Sequence, residues 1–244
     1  MSVPSPMIEL RNVSLGFRSR RKAFDNGMHH VLRDVSFQLR ENETLGIIGR
    51  NGVGKTTMLR IMADILAPNS GEVMIRPGIT ASLLSLGLGF IPDLSGRENA
   101  ILSAMLQGST RDQALSYLDE IKAFAELGDS FDEPVKTYSA GMRSRLGFTT
   151  ALFTHVDVLL IDEILSVGDA EFREKASAAM KARIAGDQTV VFVSHSLPQI
   201  RQLCDRVIWL EKGRVAAEGS PRDVIRQYKD SMRGSATARK SKRR

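Results

Sequence analysis

The spacing of apolar and polar positions changes along the chain, and each change marks an element. Residues 7–15, Met7-Ile8-Glu9-Leu10-Arg11-Asn12-Val13-Ser14-Leu15, predict a β-rich start, and residues 31–39 alternate apolar and polar as a half-exposed strand does. The polar stretch over 18–30 predicts a loop, so the two strands form an antiparallel layer. Thr44-Leu45-Gly46-Ile47-Ile48 then predicts a short buried strand, and Met58-Leu59-Arg60-Ile61-Met62-Ala63 a helix. Pro68-Asn69-Ser70-Gly71 predicts a turn into a strand over 72–75. From Ser95 to about Gly128 the period becomes helical: Leu102, Met105 and Leu106 share one face, and Leu115, Leu118 and Ile121 continue it. Ser95 with Glu98 three residues on resembles a capping box, and a further helix follows Tyr138-Ser139-Ala140-Gly141. The apolar runs at 156–161 and 189–193 predict parallel strands covered on both faces, with a crossover helix over 169–185 between them. Val215-Ala216-Ala217 predicts a last short strand, and Ser220-Pro221 starts a final helix with Ser as cap and Pro first.

This order predicts an α/β fold with an antiparallel β subdomain and an α-helical subdomain inserted at about 95–150. One domain over 1–232 is expected, then a basic, disordered tail over 233–244. The net charge of +6 resides in that tail, where Arg233, Arg239, Lys240, Lys242, Arg243 and Arg244 face no acid. The body is therefore neutral, and the basic balance gives no sign of a nucleic-acid-binding face. The tail is either a solubilising end or a segment drawn to anionic headgroups. Lone Cys204 excludes an internal disulfide and fits a small core residue in a reducing compartment. No apolar run reaches the roughly 20 residues that a membrane crossing needs, and residues 1–6 have no signal-peptide pattern. A soluble chain is expected, held to a membrane only through something else.

Residues 49–57, Gly49-Arg50-Asn51-Gly52-Val53-Gly54-Lys55-Thr56-Thr57, fit G-x-x-x-x-G-K-[ST] between a strand and a helix. In that context the glycines curl the backbone so that N–H groups face an anion, and the helix start adds partial positive charge. Lys55 then reaches the β- and γ-phosphates and the Thr56 hydroxyl binds Mg²⁺. Asp162 closes a buried strand, where a carboxylate can hold Mg²⁺, and Glu163 follows it, placed to polarise an attacking water. His195 follows the next strand and can donate to the γ-phosphate. Ser139-Ala140-Gly141 offers a hydroxyl and free N–H groups at a helix start, a second anion-binding element.

Taken together, this set resembles the nucleotide-binding subunit of an ABC transporter, with a RecA-like P-loop NTPase core. Residues 49–57 match Walker A, and 158–163 match Walker B with its catalytic glutamate. Ser139-Ala140-Gly141-Met142-Arg143 stands where the signature belongs, Ser166-Val167-Gly168-Asp169 where the D-loop belongs, and His195 where the switch histidine belongs. The resemblance covers about residues 7–230. The stretches 136–146, 87–99 and 162–172 are most similar to polysaccharide-export ATPases for capsule, O-antigen and teichoic acid. Three positions depart from the family pattern. Gly141-Met142 replaces the signature's Gly-Gln, Ser85, Leu86 and Gly87 lie where a glutamine is expected, and the adenine-stacking aromatic falls by order on Phe17. Strand packing is the competing account of Phe17.

The resemblance implies bound ATP and Mg²⁺, with Gly49, Asn51, Gly52, Gly54, Lys55, Thr56 and Thr57 on one copy and Ser139 and Gly141 on the other. It implies a homodimer on a separate integral-membrane permease, at the cytoplasmic face of the cytoplasmic membrane, exporting a lipid-linked glycan and binding no nucleic acid. Another substrate, such as a drug or a peptide, is the alternative. A soluble DNA- or ribosome-acting ATPase ranks last, since the chain has one cassette, no long heptad run and one cysteine.

Overall fold

Alternation builds the first layer. In β1 (Ile8–Arg18) the side chains of Ile8, Leu10, Val13 and Leu15 are buried, while Arg11 and Asn12 are exposed. β2 (Met28–Leu39) and β4 (Ser70–Ile75) pair antiparallel with its two edges. The β1–β2 register slips near Asn12 and Asp34, both left-handed, and the Asn12 side chain donates to the Asp34 carboxylate at 2.8 Å. His29 and His30 belong to β2 and not to the loop expected over 18–30. The structure, a computed structural model, describes residues 5–18, 28–84, 87–162 and 168–241, with side chains to Arg233.

Two compact units divide the chain. The first takes Met1–Ile79, Leu160–Glu163 and Asp187–Arg244; the second takes Thr80–Leu159 and Ile164–Gly186. Besides the antiparallel layer, the first unit contains β3 (Thr44–Ile48), buried at all five positions, between β7 (Thr189–Val193) and β8 (Arg206–Glu211), both parallel to it. β9 (Arg214–Gly219) runs antiparallel to β8, and β6 (Val158–Asp162) ends beside β7. The helices of this unit are α1 (Lys55–Met62), α7 (Leu197–Leu203) and α8 (Pro221–Ser241).

Gly46 at the centre of β3 allows a close approach: a Cβ there would lie 2.8 Å from the Cys204 sulfur. Cys204 is thus a core residue, and burial, reinforced by Asp205, pushes its thiol up to about 12. α8 starts as expected, the Ser220 hydroxyl accepting from the Asp223 N–H at 3.2 Å. It runs on to Ser241, into the basic segment expected to be disordered, where Ala, Arg and Lys favour helix.

The second unit contains β5 (Ala81–Leu83), α2 (Gly96–Leu106), α3 (Arg111–Ser116), α4 (Leu118–Ala125), α5 (Ala140–Phe153), the start of β6, and α6 (Ala170–Ile184). Its core gathers Ala100, Leu118, Ile121, Phe131, Val135 and Leu146. The Ser95–Glu98 capping box is present, and Thr110–Gln113 forms a second. The face of α2 that carries Met105 and Leu106 is exposed. Met105 is 44% and Leu106 55% exposed, while Asn99, Ala100, Ser103 and Ala104 are buried. Small residues let neighbouring elements approach α2 closely, and periodicity of large side chains misses that. Asn99 clamps the preceding loop. Its amide N–H groups donate to the Ile91, Leu94 and Ser95 carbonyls at 2.9–3.0 Å, and its oxygen accepts from the Ile91 N–H at 2.7 Å. Arg183 of α6 donates to the Ala151, Leu152 and Thr154 carbonyls at the end of α5, and burial lowers its guanidinium to about 10.

Candidate active site

The site starts where β3 runs out. Gly49 follows it with φ 154°, and a Cβ there would sit 2.4 Å from the Leu210 carbonyl oxygen. Gly54 (φ 104°) would bring a Cβ within 2.8 Å of Leu32 and 3.0 Å of the Val31 carbonyl. The loop is pressed against two strands, and only glycine fits at these two points. Gly54 is also the N-cap of α1, with no side-chain cap and no acid in the first turn. The leading N–H groups of α1 are therefore left uncapped by the helix's own side chains, the arrangement that receives an anion. Lys55 is 7% exposed, and its ammonium donates to the Gly49 carbonyl at 2.9 Å and the Arg50 carbonyl at 3.1 Å. That places a buried cation along the loop's inner side. Asn51 and Gly52 are exposed at its tip, and Thr57 is half-buried on α1.

Next to Lys55, the Thr56 hydroxyl donates to the Asp162 carboxylate at 2.5 Å. A hydroxyl and a carboxylate are hard oxygen donors, and Mg²⁺ takes one or two protein oxygens, leaving the rest to phosphate and water. Among the described residues no three His, Cys, Asp or Glu side chains converge as a metal cage. His195 is exposed, two residues past the end of β7. Beside the loop lies a cleft of about 630 Å³, lined by His29, His30, Val31, Arg50, Lys212 and Arg214 among others. The sequence reading had not named these residues; their strands are ordinary, and only the fold brings β2, the P-loop and the β8–β9 turn together. Phe17 is 46% exposed on β1, paired with His29, so it is not a core side chain.

Ser139 and Gly141 belong to the second unit. Ser139 is the N-cap of α5, its hydroxyl accepting from the Met142 N–H at 3.1 Å, and Ser139, Ala140 and Gly141 are all exposed. A Cβ on Gly141 would meet nothing nearer than the Ser139 hydroxyl at 3.7 Å. Glu163, Ser166, Val167, Ser85 and Leu86 lie outside the described residues.

Strand, glycine turn, lysine and strand-end carboxylate define a P-loop nucleotide triphosphatase. A family model described as ABC transporter matches residues 32–166. The O-antigen export system ATP-binding protein RfbB of Klebsiella pneumoniae is 40% identical over 202 residues, 83% of this chain and 82% of that protein. RfbB of Myxococcus xanthus is 41% identical over 88% of this chain and 49% of its own length. The teichoic acids export ATP-binding protein TagH of Listeria monocytogenes is 43% identical over 83% of this chain and 60% of its own length. The chain thus spans about half to three-fifths of those two relatives. The ATP-binding cassette MJ0796, solved as a post-hydrolysis dimer with ADP and Pi, matches with TM-score 0.68 and 25% identity, covering 88% of this chain and 99% of that one. The chain belongs to the ABC transporter family and carries its ATP-binding, ATP-hydrolysing cassette.

Proposed function

We propose that this chain is the ATPase subunit of an exporter that moves a lipid-linked polysaccharide of O-antigen, capsule or teichoic acid type across the cytoplasmic membrane. The observation that carries the ATPase chemistry is the Thr56–Asp162 contact beside the buried Lys55 ammonium. The export reading draws on the printed names of the relatives, which are O-antigen and teichoic acid export proteins.

Gly49, Asn51, Gly52, Gly54 and Thr57 form the phosphate cradle, with Lys55 on the β- and γ-phosphates. Thr56 and Asp162 hold Mg²⁺, which when bound neutralises phosphate charge. Glu163 orients and deprotonates the attacking water, His195 donates to the γ-phosphate, and Phe17 stacks on the base. Ser139 and Gly141 cap the γ-phosphate held by a second copy, so two chains form two complete sites. ATP favours this closed dimer and its hydrolysis reopens it. Among the described residues no helix is long and apolar enough to cross a membrane, so a separate permease provides the path, and the chain sits on its cytoplasmic face. The exposed Leu88, Ile91, Met105 and Leu106 of the second unit are the apolar surface offered to that permease.

Glu163→Gln tests the chemistry. The variant is expected to bind ATP and dimerise but turn over very slowly, whereas wild-type turnover would remove Glu163 from its role. Cells lacking the chain are expected to accumulate cytoplasmic glycan; normal export would refute the substrate class.

A further inference from the structure

α8 has one side held and one side cationic. Val224 is buried, and Tyr228 meets Trp209 of β8 edge-on with ring centres 5.7 Å apart, so the first side lies on the sheet. On the second, Arg222, Arg226, Lys229 and Arg233 recur at spacings of four, three and four residues, the repeat that lines side chains along one stripe of a helix. Arg201 of α7 joins them: these five cations, Ile225 and Asp230 line a hollow of about 240 Å³. A second hollow of about 410 Å³ adjoins it, sharing Arg201, Ile225 and Lys229 and adding Leu197, Pro198 and Gln202. Together they form a groove between α7 and α8, within the first unit, with an apolar floor and a basic rim.

Charge decides what kind of partner fits. The chain up to Met232 is neutral overall, so five exposed cations around one groove are a local excess. Arg226 pairs with Asp223 at 3.2 Å, while Arg201, Arg222 and Lys229 pair with no acid among the described residues. A nucleic acid or an anionic bilayer presents negative charge without interruption, and Asp223 and Asp230, set among the cations, oppose it. Ile225 is only 7% exposed, recessed where a bilayer anchor would protrude. A polypeptide meets both conditions. It can place carboxylates opposite individual cations, leave neutral residues opposite the two aspartates, and lower an apolar side chain onto Ile225. At 1.5 Å per residue the α8 cations are about 4.5–6 Å apart along the axis, the spacing of carboxylates three or four residues apart on a partner helix.

We propose that the α7–α8 groove docks an acidic, amphipathic helical segment of a partner protein, with carboxylates every three or four residues and an apolar residue between them. None of the residues lining the groove belongs to the phosphate cradle, so docking neither needs nor supplies a catalytic group.

The test starts from Gln202, exposed at the edge of the groove. It is replaced by a photo-crosslinking benzoylphenylalanine in the full chain, which is irradiated in its own cells. The expected adduct is a protein, joined through a peptide in which Asp and Glu outnumber Lys and Arg. That peptide, synthesised with a fluorophore, should bind the purified chain, with affinity falling about 10-fold between about 50 and about 300 mM salt. Arg222→Glu combined with Lys229→Glu should weaken binding about 10-fold or more, with thermal midpoint and ATPase rate unchanged. Replacing the peptide's acids by Lys should restore binding to that double variant. No adduct, an adduct peptide without excess acid, or equal binding by the double variant would overturn the proposal. So would binding of phosphatidylglycerol vesicles or duplex DNA that is lost in the same variant while the peptide shows none, since the groove would then belong to a bilayer or a nucleic acid.

Discussion

The Thr56 hydroxyl donates to the Asp162 carboxylate across 2.5 Å, joining the residue after the P-loop lysine to the last residue of β6. The pair forms before any phosphate is considered, so the donor set is preorganised. Its removal should act on metal dependence more than on nucleotide affinity. Thr56→Val and Asp162→Asn are each expected to bind a fluorescent ATP analogue within about 3-fold of wild type in EDTA, because Lys55 and the backbone cradle are intact. Both should lose the tightening that Mg²⁺ gives the wild type. Equal tightening in either variant would rule out its residue as a metal ligand.

Gly49 and Gly52 lie in the same loop but answer to different constraints. A Cβ on Gly49 would meet backbone, the Leu210 carbonyl oxygen at 2.4 Å, which cannot rotate away; one on Gly52 would meet nothing within 4 Å. Gly52→Ala bears only the strain of its φ of 79°, on the order of 1–2 kcal/mol. Gly49→Ala must also push the loop off β8. Urea unfolding should therefore rank Gly49→Ala as the less stable, with nucleotide binding impaired as well. Equal midpoints for the two would show that the loop relaxes without resistance at Gly49.

Legibility in the sequence followed physical locality. The P-loop, the capping box at Ser95 and the Ser220 cap are contiguous, and each was readable because a few neighbouring residues determine it. The strands 44–48 and 189–193 were readable because a strand buried on both faces needs no alternation. β5 is three residues long and carries no period, and β8 joins a four-residue buried run to charged ends, Arg206 and Glu211. α2 misled because Ala100, Ser103 and Ala104 pack where large side chains were expected. The Thr56–Asp162 contact joins residues 106 apart; Thr56 was named from the P-loop pattern and Asp162 from its strand-end position. The Arg145–Glu126 ion pair gave no such cue, since the left-handed turn that presents Glu126 to Arg145 cannot be read from Ala125-Glu126-Leu127.

Cys204 makes a prediction for pH. Burial first, then Asp205, raises its thiol from 9.0 to about 12. A folded-state value above the unfolded one means that the folded protein keeps a proton which the unfolded chain releases. The resulting stability is present below about pH 9 and declines as pH rises toward about 12. Cys204→Ser places a hydroxyl beside Gly46 and Val207 but removes that titration, so its stability should be flatter over the same range. The native thiol should also resist a thiol-reactive dye at pH 8 and react on unfolding. Rapid labelling of the folded protein would contradict the burial.

Ser139 allows binding and dimerisation to be tested apart. The phosphate cradle and Ser139 fall in different units of the chain, and Ser139, Ala140 and Gly141 are all exposed. Ser139→Arg loses the cap on Met142, worth about 1 kcal/mol, so a second variant is needed. Ser139→Asp keeps a capping oxygen and places negative charge where the partner's γ-phosphate would approach. Both variants, in a Glu163→Gln background expected to trap ATP, should bind ATP with wild-type affinity and remain monomeric by light scattering. The Glu163→Gln parent should dimerise only when ATP is added. An ATP-dependent dimer of normal strength in both Ser139 variants would show that the second copy's contribution lies elsewhere, and with it would go the account of why one chain carries two separate anion-binding elements.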